Sequence, residues 1–169
     1  MAADPYINNG SYYPLTKMNF YVSSTEITGT AAFSEVTGIE GTVDVIEFRQ
    51  GNSASLAPVK IPGLVKHGNV TFKMGYIQNS TFKDWIIECV SERRKDGAYP
   101  RHDLTVELID INMGSPQQPV TSNSAANRVW LLKNAWVTKY SAPDLDAKTS
   151  DVAIETMEVA YEELQIPNT

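Results

Sequence analysis

Alternation of apolar and polar residues is the dominant pattern of this 169-residue chain, and one segment departs from it with the spacing of a helix. The clearest alternation runs from Val70 to Tyr76, where apolar residues occupy every second position, the period of a half-buried strand. Further strands are predicted at residues 19–23, 32–39, 42–49, 104–108, 129–140 and 152–164. Such a succession predicts two packed antiparallel sheets (a β-sandwich or split barrel), because the alternating strand and helix units of a parallel sheet are missing.

The helical segment begins at Ser80 or Thr81, either of which can serve as the N-cap. Its apolar residues are spaced by three and four: Phe82, Trp85, Ile86, Cys89 and Val90. We expect this helix to cover an end or flank of the sandwich. Cys89 lies within the apolar stripe, which favours a packed thiol over a nucleophile.

The strand at residues 42–49 has a break in its alternation. Val43 and Val45 share one face, whereas Ile46 and Phe48 take the other. A slip of one residue predicts either a bulge or a strand buried on both faces. Residues 50–67 then form a long connection with a short extended piece at 59–61, since two glycines and two prolines interrupt it. A connection this long in a small domain is typically functional.

The chain length fits one domain, residues 1–169. Residues 1–18 are predicted as a polar, tyrosine-containing N-terminal arm, and residues 112–127, rich in Ser, Asn, Gln and Pro, as a solvated loop. The start lacks the basic and apolar regions of a secretory leader, which predicts synthesis in the cytoplasm. Neither a membrane-spanning segment nor a membrane anchor is predicted.

The net charge of -6 comes from one segment. Residues 144–163 hold seven acids and one base, while the rest of the chain has 13 charges of each sign. This distribution disfavours a nucleic-acid-binding face, which needs clustered cations. The acids at 155, 158, 162 and 163 are predicted on a solvated strand face.

No catalytic residue, cofactor site or metal site is predicted. The chain has two histidines and lacks the phosphate-binding, dinucleotide-binding, zinc-protease and serine-hydrolase motifs. Asp144, Asp146 and Asp151 lack the glycine and glutamate that complete a calcium-binding loop.

Apolar residues occupy both faces of the strand at 129–140. Trp130, Trp136 and Tyr140 share one parity, whereas Leu131 and Val137 have the other. A subunit that buries surface against copies of itself needs such a pattern, although ordinary core packing also produces it. The same three aromatic residues would serve as stacking surfaces in a carbohydrate-binding β-sandwich.

Six sequence segments, in the same order as in a known family, give the chain its resemblance to that family. They resemble the tail tube proteins of contractile phages and of related contractile injection systems, and they lie at residues 33–40, 45–51, 60–71, 130–136, 139–146 and 152–158. The likeness extends over roughly residues 19–164. Ordered blocks over nearly the whole chain are more specific than any single motif.

This resemblance implies a subunit that forms hexameric rings, in which strands from six copies join into one barrel around a bore. It also implies that the 50–67 connection reaches a neighbouring subunit or the next ring. The residues expected to mediate self-assembly are Val59, Lys60, Ile61, Pro62, Gly63, Leu64, Trp130, Trp136 and Tyr140. The last two strands would belong to the barrel, with Glu155 or Glu158 facing the bore and repelling anionic cargo.

The implied function is mechanical and non-enzymatic. Stacked rings form an inner tube, which contraction of an outer sheath drives into a target cell. The implied partners are other copies, the sheath protein, the baseplate hub and spike, and protein cargo or DNA in the bore. The implied location is an assembled phage tail or a released injection particle, made in the bacterial cytoplasm. The alternatives are a type VI secretion tube protein and the carbohydrate-binding module.

Overall fold

The computed structural model describes residues 7–8, 11–12, 17–27, 33–52, 54–75, 81–91, 100–109, 128–148 and 151–167. The loop predicted at 112–127 lies outside these residues. Of the N-terminal arm predicted at 1–18, only residues 7–8, 11–12 and 17–18 fall within them. No helix in these ranges is long and apolar enough to cross a bilayer.

The described residues form mainly β-structure with one helix, as predicted. The strands are β1 (Ile7–Asn8), β2 (Ser11–Tyr12), β3 (Phe20–Ser24), β4 (Phe33–Thr37), β5 (Gly41–Phe48), β6 (Val59–His67), β7 (Val70–Gly75), β8 (His102–Leu108), β9 (Arg128–Ser141), β10 (Ile154–Ala160) and β11 (Glu163–Gln165). Helix α1 spans Thr81–Val90. Every strand pair is antiparallel, which confirms the predicted fold class.

Two sheets share the long strand β9. Its first half pairs with β8 and β11, and β8 pairs in turn with β3. Its second half pairs with β10, giving a four-stranded sheet in the order β9, β10, β7, β4, which we call the β4 sheet. Because one strand belongs to both sheets, the conformation of β9 determines how they meet.

β9 changes direction at Asn134, whose φ of 51° is left-handed. The carboxylate of Asp103 holds this position: Oδ1 accepts the backbone N–H of Asn134 at 3.0 Å, and Oδ2 accepts from Lys133 Nζ at 2.7 Å. Leu132 is buried before the bend, whereas Ala135 is buried after it. The predicted parity of β9 is therefore wrong at Trp136 and Val137, because one left-handed residue exchanges the two faces, and a register shift beyond Val137 returns Tyr140 to the core face.

The hydrophobic core lies between the two sheets and beneath α1. Its largest fully buried side chains are Phe72, Phe82, Leu104, Leu132 and Met157. The helix contributes Phe82, Trp85, Ile86 and Cys89, whereas Val90, predicted on the same stripe, is exposed. Burial raises the pKa of the Cys89 thiol, in keeping with its prediction as a packed side chain.

The strand predicted at 152–164 is divided into β10 and β11 by a corner at Tyr161 and Glu162. Tyr161 is buried at this corner, and the backbone N–H of Glu162 donates to the carbonyl of Lys133 at 3.0 Å. β11 then continues along the first half of β9. The corner lies beside the bend in β9, because the strand that pairs with both halves of β9 must itself be interrupted where β9 bends.

β4 and β7 continue outward as β5 and β6, so the four strands form one antiparallel ribbon. Thr37 lies opposite Thr71, and four residues further along each arm Gly41 lies opposite His67, in the same register. The ladder is interrupted at residues 38–40 and 68–69. Gly38 has a φ of 91°, and a Cβ there would lie 2.6 Å from the carbonyl oxygen of Asn69. Only glycine fits this position.

Candidate self-assembly surface

The second half of the predicted connection at 50–67 is strand β6, which pairs with β5 as a hairpin. The extended piece predicted at 59–61 is a strand of nine residues. Pro62 pairs with Val45, and the register shifts beside Gly63, where a Cβ would lie 3.0 Å from the carbonyl oxygen of Asp44. Pro62 and Gly63 argued against a strand, but a bulge accommodates both. β5 and β6 pair only with each other among the described strands.

The hairpin exposes large apolar side chains along both strands. Eight such side chains are between 44% and 75% exposed: Val43, Val45, Ile46, Phe48, Val59, Ile61, Leu64 and Val65. Exposed large apolar side chains grouped in this way are typical of a site of protein association. The slip in alternation predicted either a bulge or burial on both faces; the ladder has a register shift between Val43 and Val45, with the extra residue on β6, and both faces of β5 are exposed.

The apolar residue pairs lie at different positions along the hairpin on its two faces. The pairs nearer the base are Val43–Val65 and Val45–Pro62 on the first face, and the pairs nearer the tip are Ile46–Ile61 and Phe48–Val59 on the second. Since opposite residues share a face and neighbours along a strand alternate, both faces are apolar over part of their length.

Ion pairs occupy the remainder of each face. Lys66 Nζ lies 2.6 Å from Asp44 Oδ2 near the base, and Lys60 Nζ lies 4.0 Å from Glu47 Oε1 near the tip. Both pairs are exposed, so each contributes little to the stability of the subunit. Their positions give the two faces different charge patterns, which allows each face to recognise a different surface.

All six predicted assembly residues between 59 and 64 lie on this hairpin. The prediction did not include five further members of the surface: Val43, Val45, Ile46, Phe48 and Val65. The signal that could have found them was the slip at residues 43–48. Apolar residues on both faces of one strand indicate either full burial or a two-sided contact, and the subunit leaves both faces exposed.

The other predicted assembly residues have partners within the subunit. Trp130 packs against the core, and the Arg101 guanidinium lies over the Trp136 ring, 4.8 Å from its centroid. The Tyr140 hydroxyl donates to Glu155 Oε1 at 2.6 Å. These contacts account for the three aromatic residues within one subunit and argue against a free stacking platform for sugars. Their role in assembly stays a prediction.

The two predicted bore-facing acids lie on opposite faces of β10. Glu155 is 3% exposed and faces the core beside Met157, where Lys83 Nζ lies 3.5 Å from its Oε1. Its prediction as a solvated, bore-facing residue is wrong, because strand alternation turns it inward. Glu158 lies on the other face, half-buried, with Lys139 Nζ at 3.5 Å.

That other face of the β4 sheet, which we call the polar face, has balanced charges. Lys73 Nζ lies 2.8 Å from Glu35 Oε2, and Lys139 pairs with Glu158. Threonines surround the ion pairs: Thr37, Thr71 and Thr156. Within the described ranges no group of three or more His, Cys, Asp or Glu side chains could hold a metal ion.

Both edges of the β4 sheet are open among the described strands. β4 pairs only with β7, and residues 136–141 of β9 pair only with β10. The four strands alternate in direction, so β9 and β4 run antiparallel to each other. An edge of one copy can therefore continue the antiparallel sheet of the next copy.

The described residues thus form an antiparallel sandwich that leaves an apolar hairpin and both edges of one sheet exposed, which are surfaces through which protein chains can associate. The sequence model of the family described as "T4-like virus tail tube protein gp19" matches residues 16–165. The chain belongs to this tail tube family, which confirms the resemblance found in the sequence blocks. None of the curated protein sequences matches the chain.

Solved structures of contractile particles contain chains with the same fold. One is in the 6-fold symmetrised baseplate of the anti-feeding prophage, with a TM-score of 0.70, 19% identity, and coverage of 93% of this chain and 97% of that one. A chain in the extended sheath–tube complex of the PVC extracellular contractile injection system has a TM-score of 0.69 and 21% identity, with 93% of both chains covered. A chain in the tube-terminating cap of the anti-feeding prophage has a TM-score of 0.71 and 19% identity, with 100% of both covered.

Proposed function

We propose that the chain is the inner tube subunit of a contractile injection particle, in which hexameric rings stack into a hollow tube. Membership of the tail tube family supports this, as do similar chains in the structures of a baseplate, a sheath–tube complex and a tube cap. The role is structural and non-enzymatic. The hairpin is the observation that carries the proposal, because a subunit that functions alone does not expose eight large apolar side chains on one arm.

Each ring closes through the open edges of the β4 sheet. The outer edge of β4 in one subunit pairs with residues 136–141 of β9 in the next, and the strand directions make this pairing antiparallel. Six subunits with four strands each give 24 strands, which enclose a barrel about 45–50 Å across the backbone. Closure satisfies the edge hydrogen-bonding groups that would otherwise cause aggregation.

The polar face lines the bore in this arrangement, because the opposite face of the β4 sheet is covered by core and helix. Glu158 then faces the bore together with its partner Lys139, and Glu35 faces it with Lys73. A bore wall of paired opposite charges and threonines presents no large apolar area to which cargo could adhere. The bore is thus charge-balanced at these positions rather than acidic.

The hairpin contacts a neighbouring subunit or the next ring. Two-sided contact explains why apolar pairs occur on both faces, since each face is buried against a different surface. Complete burial of each half-exposed apolar side chain contributes about 1 kcal/mol before the costs of association. A contact between different surfaces of identical copies is heterologous, and such contacts build rings or open stacks.

The proposed partners are further copies, the sheath protein, the baseplate hub and spike, and protein cargo or DNA in the bore. The proposed location is an extracellular contractile particle whose subunits are made in the bacterial cytoplasm, without membrane anchoring. A type VI secretion tube is the alternative within the same class. The phage tail tube family match favours the contractile-tail type.

The proposal is tested with purified protein and negative-stain electron microscopy. The unmodified chain, supplied with preformed baseplates where growth needs a template, should form sixfold rings and tubes. Val45→Lys changes the first face of the hairpin and Phe48→Lys the second, each at a side chain exposed by more than half. Both variants should fold normally, because neither side chain contributes to the core, and should fail to form tubes.

Leu145→Lys is the matched control, since Leu145 is an exposed apolar residue outside the hairpin. Tubes from the control and none from the hairpin variants support the proposal. If a variant forms rings but no tubes, the altered face contacts the next ring. If it stays monomeric, the altered face contacts a neighbouring subunit within the ring. Tubes of normal length from both hairpin variants would overturn the assembly role of the hairpin.

A further inference from the structure

The hairpin is joined to the sandwich by an interruption of the ladder at residues 38–40 and 68–69. Because the backbone ladder stops at this point, the ladder alone does not fix the angle between hairpin and sandwich. An arm that must contact two surfaces at once needs a defined angle. Another part of the chain must therefore hold it.

The corner between β10 and β11 supplies that contact. The Tyr161 hydroxyl donates to the carbonyl oxygen of Glu40 at 2.7 Å. Its ring packs against His67, the last residue of β6, with the ring centroids 5.0 Å apart. Tyr161 is 6% exposed, so the sandwich fixes the position of its ring. One side chain thus contacts both arms of the hairpin at their base.

The surrounding chain is closely packed at the same point. A Cβ at Gly68 would lie 2.5 Å from the Glu40 carboxylate, and one at Gly41 would lie 3.4 Å from His67 Nδ1 and 4.0 Å from Leu164 in β11. His67 Nδ1 lies 3.4 Å from the Glu40 carbonyl oxygen. The base of the hairpin therefore packs between the residues of the interruption and the β10–β11 corner.

We propose that Tyr161 is the positioning residue that sets the angle of the hairpin before assembly. The inference rests on the proposed tube function for its consequence, because a preset angle reduces the entropy lost when the hairpin docks. Its physical content, a fixed angle in the isolated subunit, is independent of that function. Tyr161→Phe tests it, since the variant keeps the buried ring and removes the hydroxyl.

The first measurement is a distance distribution between two spin labels on the isolated subunit. The labels are placed at Leu56→Cys, in the loop that connects β5 to β6, and at Asp84→Cys on α1, both exposed, in a Cys89→Ala background. We expect a single narrow distribution with Tyr161 and a broader or shifted one with Tyr161→Phe. Identical distributions would overturn the proposal, whether or not the protein forms tubes.

The second measurement is the lowest protein concentration at which tubes grow. Tyr161→Phe removes one hydrogen bond that holds the hairpin at its preset angle. This loss should raise the lowest concentration for tube growth about fivefold. Val106→Ala is the matched control: it removes buried volume in β8, away from the hairpin, and should lower the unfolding midpoint at least as much. An equal rise in the control would overturn the positioning role, because it would trace the effect to stability alone.

Discussion

Asn134 provides the sharpest test of how the two sheets are joined. Its φ of 51° lies in the left-handed region, and its side chain amide donates to Glu162 Oε2 at 2.9 Å. The bend at this residue moves β9 from one sheet to the other. Substitution here changes the backbone energy of the bend without removing any core side chain.

The expected costs follow from these two contributions. Asn134→Ala loses the tolerance of asparagine for this conformation, about 1 kcal/mol, and one exposed hydrogen bond, about 0.5 kcal/mol. Asn134→Val adds the strain of a β-branched residue at positive φ and should cost about 2–3 kcal/mol. Asn134→Gly relieves the backbone strain but increases the entropy of the unfolded chain, so its cost is about 0.5–1 kcal/mol.

The assay is urea unfolding of the monomeric subunit, monitored by tryptophan fluorescence. The free energy of unfolding should decrease in the order Asn, Gly, Ala, Val. An equal loss for Gly and Val would refute the reasoning, because it would show that the side chain contacts matter and the backbone conformation does not. A loss for Ala as small as that for Gly would refute the estimate of strain.

Two further predictions concern buried and paired charges. The bonds from Lys133 Nζ and then from the Asn134 N–H lower the pKa of Asp103 below 3.8, so its contribution to stability is complete above that pH and is lost as the pH falls through the lowered value. Asp103→Asn should therefore reduce the decline in unfolding free energy as the pH falls below about 4, and an unchanged decline would exclude Asp103 as its source. Lys83→Met removes the ion-pair partner of buried Glu155 and should cost about 3 kcal/mol in urea unfolding, with the double variant Lys83→Met, Glu155→Leu restoring most of the loss. A double variant as unstable as Lys83→Met would contradict this account.

Strands with one buried face were predictable from the sequence, because the core imposes the two-residue period that reveals them. β7 illustrates this, since its buried residues Val70, Phe72 and Met74 alternate with Thr71 and Lys73. The helix was predictable for the same reason, since its buried face repeats at intervals of three and four residues. Family membership was also accessible, because ordered blocks extend over most of the chain.

β6 was not predictable as a strand, because it has no buried face to impose alternation and its Pro62–Gly63 step is typical of a turn. The burial of Glu155 was equally hidden, since Lys83 and Tyr140 reach it from distant parts of the sequence. The bend at Asn134 depends on Asp103, a residue on another strand. Single-sequence patterns report burial along one element and do not report contacts between elements.

The shared register of the ribbon restricts how the outer arm can change in length. Adding one residue to both strands beyond the interruption preserves pairing but exchanges the two faces at the tip, whereas adding two to both preserves the faces and extends the arm by about 7 Å. An insertion in one strand alone shifts the register unless a bulge absorbs it, as one does beside Gly63. The reach of the arm is therefore adjustable only in discrete increments, and a tail tube with a different distance between its layers would be expected to carry paired insertions of even length.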